Sequence, residues 1–262
     1  MKAGIVGCGF IGSELAMFIG KRKGLRLIGL NDVDKNKVNG LIKKLKNKPK
    51  FMGLNDLIKK CDLVIESAGK EVIEEILENE NMDKKGKSLL IMSTGGLINN
   101  LGLLRKIKNC QIYLPSGAIA GLDAIKAVSG KIKSLKLATT KSIKGLENAP
   151  YILKNKIDLK KIRNKKLIFE GGLKDAIDGF PQNINVAATL FLASKFDKIK
   201  IQIIADPNIK YNLHEIEAIG DFGIIKATTQ NLPSKNPKTS YLAVLSAIQT
   251  IKNIKNNVKI GN

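Results

Sequence analysis

The sequence predicts an α/β fold, a Rossmann-type doubly wound parallel sheet followed by a second α+β domain, and three observations carry the prediction. Short apolar strands alternate with helical patterns over residues 2–92. These strands end in loops of small residues: Gly7-Cys8-Gly9-Phe10-Ile11-Gly12, Ser67-Ala68-Gly69 and Ser93-Thr94-Gly95-Gly96. After about residue 115 the regular alternation stops and strand-like runs crowd together. Alternating strands and helices build a parallel sheet covered on both faces, whose ligand lies beyond the carboxyl ends of the strands.

Lys2–Val6 is a short apolar strand, and the glycine turn after it opens a helical pattern. Leu15, Ala16, Phe18 and Ile19 stand at spacings that fill one buried face, and that helix closes near Gly20. Residues 25–30 form the second strand, which ends in Asn31-Asp32. Residues 63–65 and 88–92 are the next strands, with a helix expected over 71–80 between them. Together these elements make residues 1–114 one nucleotide-binding domain. In residues 115–235, expected to be the catalytic, substrate and oligomerisation domain, strands are predicted at 132–140, 166–170, 200–205, 213–218 and 222–229. Helices are predicted there at 175–180 and 185–196. Residues 236–262 open on Asn236-Pro237-Lys238-Thr239-Ser240 and continue as a helix through Leu242, Val244, Leu245, Ile248 and Ile251. Asn at a cap and Pro at the first helical position favour a start there, and the pattern leaves open which domain the helix joins. Lys/Asn-rich stretches at 35–50, 154–166 and 252–259 carry interleaved Leu and Ile, so they read as solvated helix faces or loops.

Of the 262 residues, 44% are hydrophobic and 26% charged, and the formal net charge is +22. At ~100 to 200 residues per domain this length supports one large core or two smaller ones. Only Arg22, Arg26, Arg105 and Arg163 are arginines, which leaves 41 lysines. Proteins that read phosphates and base edges lean on the bidentate guanidinium. The lysines also fall in short separated clusters such as Lys43-Lys44, Lys59-Lys60, Lys84-Lys85, Lys160-Lys161 and Lys165-Lys166, so no nucleic-acid partner is expected. Cys8, Cys61 and Cys110 are odd in number and lack C-x-x-C spacing. That excludes a disulfide framework and a zinc ribbon, predicts no metal, and fits a reducing cytoplasm. The longest apolar run, residues 186–193 with Thr189 inside it, falls far short of the ~20 residues of a membrane span. Glycines and Glu14 interrupt the N-terminal apolar run, which reads as a strand and not as a signal peptide.

A G-x-G-x-x-G triplet is weak evidence alone, and its context decides. Here it follows a strand and opens a helix. Gly7 makes the tight turn, Gly9 lets backbone approach a pyrophosphate, and Gly12 lets helix and strand pack closely, with Phe10 and Ile11 in the first helical turn. Asp32 stands 20 residues after Gly12, at the end of the second strand, where a ribose-hydroxyl acceptor belongs. Its charge favours NAD over NADP, although Lys35 and Lys37 nearby leave NADP open. Ala68 lies on the same strand edge as a further cofactor contact. Cys8 is a small filler with no base beside it.

The single histidine, His214, is the one side chain whose ordinary pKa suits a base near neutrality. Strand alternation puts it on a face with Ile216 and Ala218, so a hydrogen-bonded core histidine is the competing reading. Residues 115–123 and 180–185 are loops of small and polar groups, among them Ser116, Ala118, Ala120, Asn183 and Asn185. They offer N–H, amide and hydroxyl groups to a polar substrate or to nicotinamide. The alternatives are a hinge for the first loop and helix capping for Asn183 or Asn185.

Several segments in order along nearly the whole chain resemble the L-aspartate dehydrogenases. They are the glycine turn, Ser116-Gly-Ala-Ile-Ala-Gly-Leu-Asp123, Phe180-Pro-Gln-Asn-Ile-Asn-Val-Ala-Ala-Thr189, Ala205-Asp206-Pro207 followed by Asn212-Leu213-His214, and Asn236-Pro-Lys-Thr-Ser240. The resemblance implies a Rossmann domain, a catalytic α/β domain and a C-terminal helix that returns to the first domain. It implies His214 as the catalytic residue and the Ala120 loop and Asn185 as NAD contacts. The implied reaction is NAD(P)-dependent oxidation of L-aspartate to iminoaspartate, which hydrolyses to oxaloacetate and ammonia or feeds quinolinate and NAD synthesis. For the substrate, Lys141 and Lys238 are candidate carboxylate partners, with Ser116 and Asn183 beside them, and a homodimer through the second domain's sheet is expected. Two alternatives stand beside this reading. One is a related dehydrogenase of homoserine-dehydrogenase or dihydrodipicolinate-reductase type, and the other is a nucleotide-binding regulator without catalysis.

Overall fold

A computed structural model describes residues 1–181, 184–234, 239–258 and 260. The chain divides into two compact units, Met1–Pro115 with Ala247–Lys252, and Ser116–Ser246 with Asn253–Asn262.

In the first unit the order is β1 (Lys2–Val6), α1 (Phe10–Gly20), β2 (Arg26–Asn31), α2 (Lys35–Lys44), β3 (Lys50–Phe51), α3 (Leu54–Lys60), β4 (Leu63–Glu66), α4 (Ile73–Glu78), β5 (Ser88–Ile91), α5 (Leu101–Lys106) and β6 (Gln111–Tyr113). All six strands run parallel, in the order β3-β2-β1-β4-β5-β6. β4 and β5 are buried at every position, as a parallel sheet with helices on both faces requires. Strand order reverses between β1 and β4, so the loops that follow these two strands border the crevice where such sheets hold ligands. The helix expected over 71–80 is split into a 3₁₀ turn at Lys70–Val72 and the shorter α4.

Beyond Pro115 the order is α6 (Leu122–Ala127), β7 (Ile132–Lys141), α7 (Ile143–Leu146), α8 (Pro150–Lys154), β8 (Lys166–Gly171), α9 (Leu173–Gly179), α10 (Asn185–Ser194), β9 (Lys200–Ala205), β10 (Asn212–Gly220), β11 (Gly223–Asn231) and α11 (Tyr241–Ile254), all in the second unit except Ala247–Lys252 of α11, which count with the first. The five strands form a mixed sheet, β11-β10-β7-β9-β8, in which only β7 and β9 are parallel. Its burial alternates: Asn212, His214, Ile216 and Ala218 of β10 face inward, while Leu213, Glu215 and Glu217 face outward. α10 ends two residues earlier than expected because Lys195 turns to φ +53°. α11 begins at Tyr241 with Ser240 at its cap, and Asn236 and Pro237, where the sequence pattern opens the helix, lie outside the described residues. Among the described residues no helix is long and apolar enough to cross a membrane, and no group of three or more His, Cys, Asp or Glu side chains is placed to hold a metal.

Candidate active site

One group of candidate residues sits at the carboxyl edge of the six-stranded sheet. Gly7 leaves β1 at φ +93°, and its N–H donates to the Asn31 carbonyl at 2.8 Å. A Cβ at Gly12 would stand 1.9 Å from the Gly7 carbonyl oxygen, and one at Gly7 would stand 2.5 Å from the Ala68 nitrogen. The close approach of β1, α1 and the loop after β4 therefore needs glycine at both positions. Gly9 precedes α1, and Phe10, Ile11 and Gly12 form its first turn. N–H groups at such a start have no helical partner and attract an anion.

Asp32 follows β2 and is held by two backbone donors: Oδ2 accepts from the Cys8 N–H at 2.7 Å and Oδ1 from the Asp34 N–H at 2.9 Å. Both oxygens keep lone pairs for hydroxyl donors. Burial, and then the Asp32 charge, push the Cys8 thiol up to about 12, so it is no nucleophile. Gly7, Gly9, Asp32, Val33, Lys37 and the exposed Ala68 border a cavity of about 320 Å³.

A second group gathers on the buried face of the five-stranded sheet. His214 is paired across the strands with Thr139 of β7 and Thr229 of β11. Its Nδ1 lies 3.1 Å from the Thr139 hydroxyl oxygen. Burial, and then the positive charge of Lys141, push the imidazole down to about 3, so the ring is neutral at physiological pH. Lys141 ends β7 and is only 4% exposed, and its carbonyl accepts the Asp206 N–H at 2.9 Å. The Thr229 hydroxyl and the Asn231 amide both donate to the Ala118 carbonyl at 2.8 Å, which ties the loop at 116–121 to the strand next to His214. Ala118 is buried and Ala120 exposed, so Ala120 is the one this loop presents. Ser116 is half-buried in the same loop, and the Gly117 N–H donates to Ser246 Oγ at 3.0 Å.

Asn185 is exposed and is the first residue of α10, while Ile184 holds the cap position, already in helical conformation. Asn185 is therefore not the helix cap, and its carbonyl accepts the Thr189 hydroxyl at 2.8 Å. Asn183 and Lys238 lie outside the described residues. Sequence reasoning missed Thr139, Thr229 and Asn231. The available signal was their alternation: each falls on the strand face that the apolar pattern buries.

The depressed His214 pKa has a consequence for stability. The unfolded chain takes up a proton below about 6.5, whereas the folded chain does not do so until about 3. The contribution of this group to stability is thus fully present above 6.5 and is lost as pH falls through the window between the two values. At about 1.4 kcal/mol per pH unit, the loss reaches roughly 2 to 3 kcal/mol by pH 4.5. Urea unfolding at pH 7 and pH 4.5 checks this: the parent should lose that amount more than His214→Asn. Equal losses in the two proteins would refute a buried neutral histidine.

Comparison with known proteins places both groups in context. A family model described as aspartate dehydrogenase, C-terminal, matches residues 123–254, and one described as homoserine dehydrogenase, NAD binding domain, matches residues 7–115. The L-aspartate dehydrogenase of Methanosarcina mazei is 41% identical over 100% of this chain and 99% of its own. That of Bradyrhizobium diazoefficiens is 35% identical over 100% of this chain and 94% of its own. Among solved structures, aspartate dehydrogenase from Thermotoga maritima superposes with a TM-score of 0.77 at 25% identity, covering 100% of this chain and 99% of that one. Scyllo-inositol dehydrogenase from Lactobacillus casei, solved with bound NAD(H) and scyllo-inositol, shares the fold at a TM-score of 0.55 and 16% identity, covering 100% and 91%.

Proposed function

This chain belongs to the L-aspartate dehydrogenase family, and on that premise we propose that it oxidises L-aspartate to iminoaspartate with NAD. The observation that carries the reading is His214, a neutral imidazole engaged at Nδ1 by Thr139, with the Lys141 charge close enough to depress its pKa. The nucleotide fits the other group: the first turn of α1 suits a pyrophosphate, and the fixed Asp32 carboxylate suits a ribose diol. Ala120 and Asn185 are exposed and belong to the same proposed cofactor set.

NAD, when bound, accepts the hydride from the substrate Cα. That hydride leaves only after the amine has lost its proton, because the nitrogen lone pair must form the C=N bond. With Nδ1–H donating to the Thr139 hydroxyl oxygen, Nε2 of His214 holds the lone pair that takes this proton. Lys141 supplies a cation for a substrate carboxylate. Once that proton has passed to solvent, the same imidazole activates the water that converts the imine to oxaloacetate and ammonia, unless iminoaspartate is passed on toward quinolinate.

Asp32 accepts from the 2′-hydroxyl and repels a 2′-phosphate, which makes NAD the preferred cofactor. Initial rates with L-aspartate, D-aspartate, and oxaloacetate plus ammonia, each with NAD and with NADP, test the reading. Turnover of the L enantiomer with NAD is expected, and no turnover of L-aspartate with either nucleotide would overturn it. Asp32→Ser should lower kcat/KM for NAD by about tenfold or more, the loss of a charge-assisted hydrogen bond. It should raise kcat/KM for NADP, since Lys37 borders the same cavity.

The same reading includes a cytoplasmic homodimer. Its three cysteines are free and buried. On the outward face of the five-stranded sheet, exposed Leu167, Ile219 and Ile224 lie among paired charges, Lys226–Glu217 at 2.9 Å and Lys200–Glu170 at 3.2 Å. That mixture of apolar and oppositely charged groups suits a second copy of itself, which light scattering would report as twice the 28.6 kDa chain mass.

A further inference from the structure

We propose that Glu66 is a positioning residue for the dinucleotide: its buried carboxylate locks the loops after β4 and β5 into one rim and so sets nucleotide affinity. The proposal deepens the reading of the glycine turn as an NAD site and rests on it.

Glu66 ends β4 and is 0% exposed. Its Oε1 accepts from the Ala68 N–H at 2.8 Å, the Gly69 N–H at 3.0 Å and the Ser93 hydroxyl at 2.8 Å. Its Oε2 accepts from the Ser93 N–H at 2.9 Å. Among the described residues no lysine or arginine forms an ion pair with it. Burial pushes its pKa up, and the backbone and hydroxyl donors oppose that rise. A protonated carboxyl would have to donate, and three of its four partners are N–H groups that cannot accept. The geometry is therefore that of a carboxylate, and burying one without a cation is costly unless donors surround it.

A core at this depth needs no ionisable group; an apolar side chain would fill the space. What the carboxylate adds is a link between two loops 27 residues apart. The loop after β4 bears directly on the glycine turn. The Ser67 N–H donates to the Val6 carbonyl at 2.8 Å, and Ser67 Oγ donates to the Gly7 carbonyl at 3.0 Å. The Ala68 backbone leaves no space for a side chain on Gly7. The loop after β5 is held at Ser93, whose N–H and hydroxyl both donate to the carboxylate. A shift of the carboxylate thus moves Ala68, Gly69 and Ser93 together, and Ala68 and Gly69 are part of the wall of the cavity that Gly7 and Asp32 share.

Glu66→Gln tests this with little change in volume. An amide offers one acceptor oxygen and places an NH₂ against at least one backbone N–H, so the two loops no longer share one anchor. NADH binding is read from the cofactor's own fluorescence, alongside kcat, both KM values and Tm. The dissociation constant for NADH and the KM for NAD should rise about tenfold to a hundredfold, the weight of hydrogen bonds to a charge. kcat at saturating NAD and the KM for aspartate should stay within about threefold, the pattern of a change confined to cofactor binding. Ser93→Ala, which removes only the hydroxyl donor, should show the same split at smaller size, and it carries the test if Glu66→Gln does not fold. A purely structural role would lower Tm and leave the NADH dissociation constant unmoved, and that result would overturn the proposal. If the unaltered chain binds no NADH, the nucleotide site and the role of Glu66 fall together; if it binds and both variants bind equally well, only Glu66 falls.

Discussion

Replacing His214 by Asn is expected to lower kcat by about a hundredfold to ten-thousandfold, the usual weight of a positioned general base. NADH should still bind within about threefold of the parent, since the glycine turn and Asp32 belong to the other compact unit. Asparagine suits the test because its amide can replace Nδ1 against the Thr139 hydroxyl, so the packing of β10 on β7 is retained. The variant also separates chemistry from architecture through pH. When the imidazole removes the ammonium proton, its loss is offset in alkaline solution, where the amine of aspartate has already lost that proton. The rate of the variant should therefore climb with pH well past the point where the parent levels off. Steady-state rates from pH 7 to 10.5 measure this. A variant that keeps more than about a tenth of parental kcat, or stays equally slow at all pH values, would refute His214 as the base.

The parts of the fold that could be read in the sequence are those where one physical pattern acts alone. β1, the glycine turn, α1 and β2 were legible because a strand period gives way to a helix period across residues that must be glycine. β4 and β5 were legible as apolar runs ending in small residues. α2 was harder: only Val38 and Leu41 of its ten residues are buried, and the lysine-rich remainder looks like any solvated segment. β3 is two exposed residues held by pairing with β2, a tertiary effect that leaves no local trace. The same contrast holds at the candidate site. His214 stood out as a lone imidazole, and the alternation that shared its face with Ile216 and Ala218 is the one observed. Its partners did not stand out. Thr139 is 75 residues away, and Thr229 and Asn231 reach a carbonyl 111 and 113 residues away. Glu66 lies just past the strand expected over 63–65, and nothing nearby in sequence announces that Ser93 will close on it.

Lys141→Met should raise the KM for L-aspartate by about tenfold to a hundredfold, the weight of a hydrogen bond between charged groups, and leave the KM for NAD nearly unchanged. The reason lies in burial. A lysine that is 4% exposed is desolvated, and a substrate carboxylate at that spot interacts with it far more strongly than it would in water. The substitution has a second consequence that a mere packing defect lacks. Lys141 is the charge that, after burial, holds the His214 pKa down. Removing it makes the imidazolium less unfavourable, so the His214 pKa of the free enzyme rises, and the acid limb of kcat/KM moves to higher pH. In the binding mode proposed for the parent, a substrate carboxylate beside Lys141 acts in the same sense: it offsets the Lys141 charge and lifts the imidazole toward the pKa a useful base needs. The acid limb of kcat should accordingly lie above that of kcat/KM in the parent, and in Lys141→Met, which lacks the cation with and without substrate, both limbs should move to higher pH. Lys141→Arg separates charge from shape. It keeps the positive field, so the acid limb of kcat/KM should stay where it is, while the bulkier guanidinium in a site this buried should still weaken aspartate binding. Should Lys141→Met leave both the KM for aspartate and the acid limb where they were, the buried cation takes no part in holding the substrate.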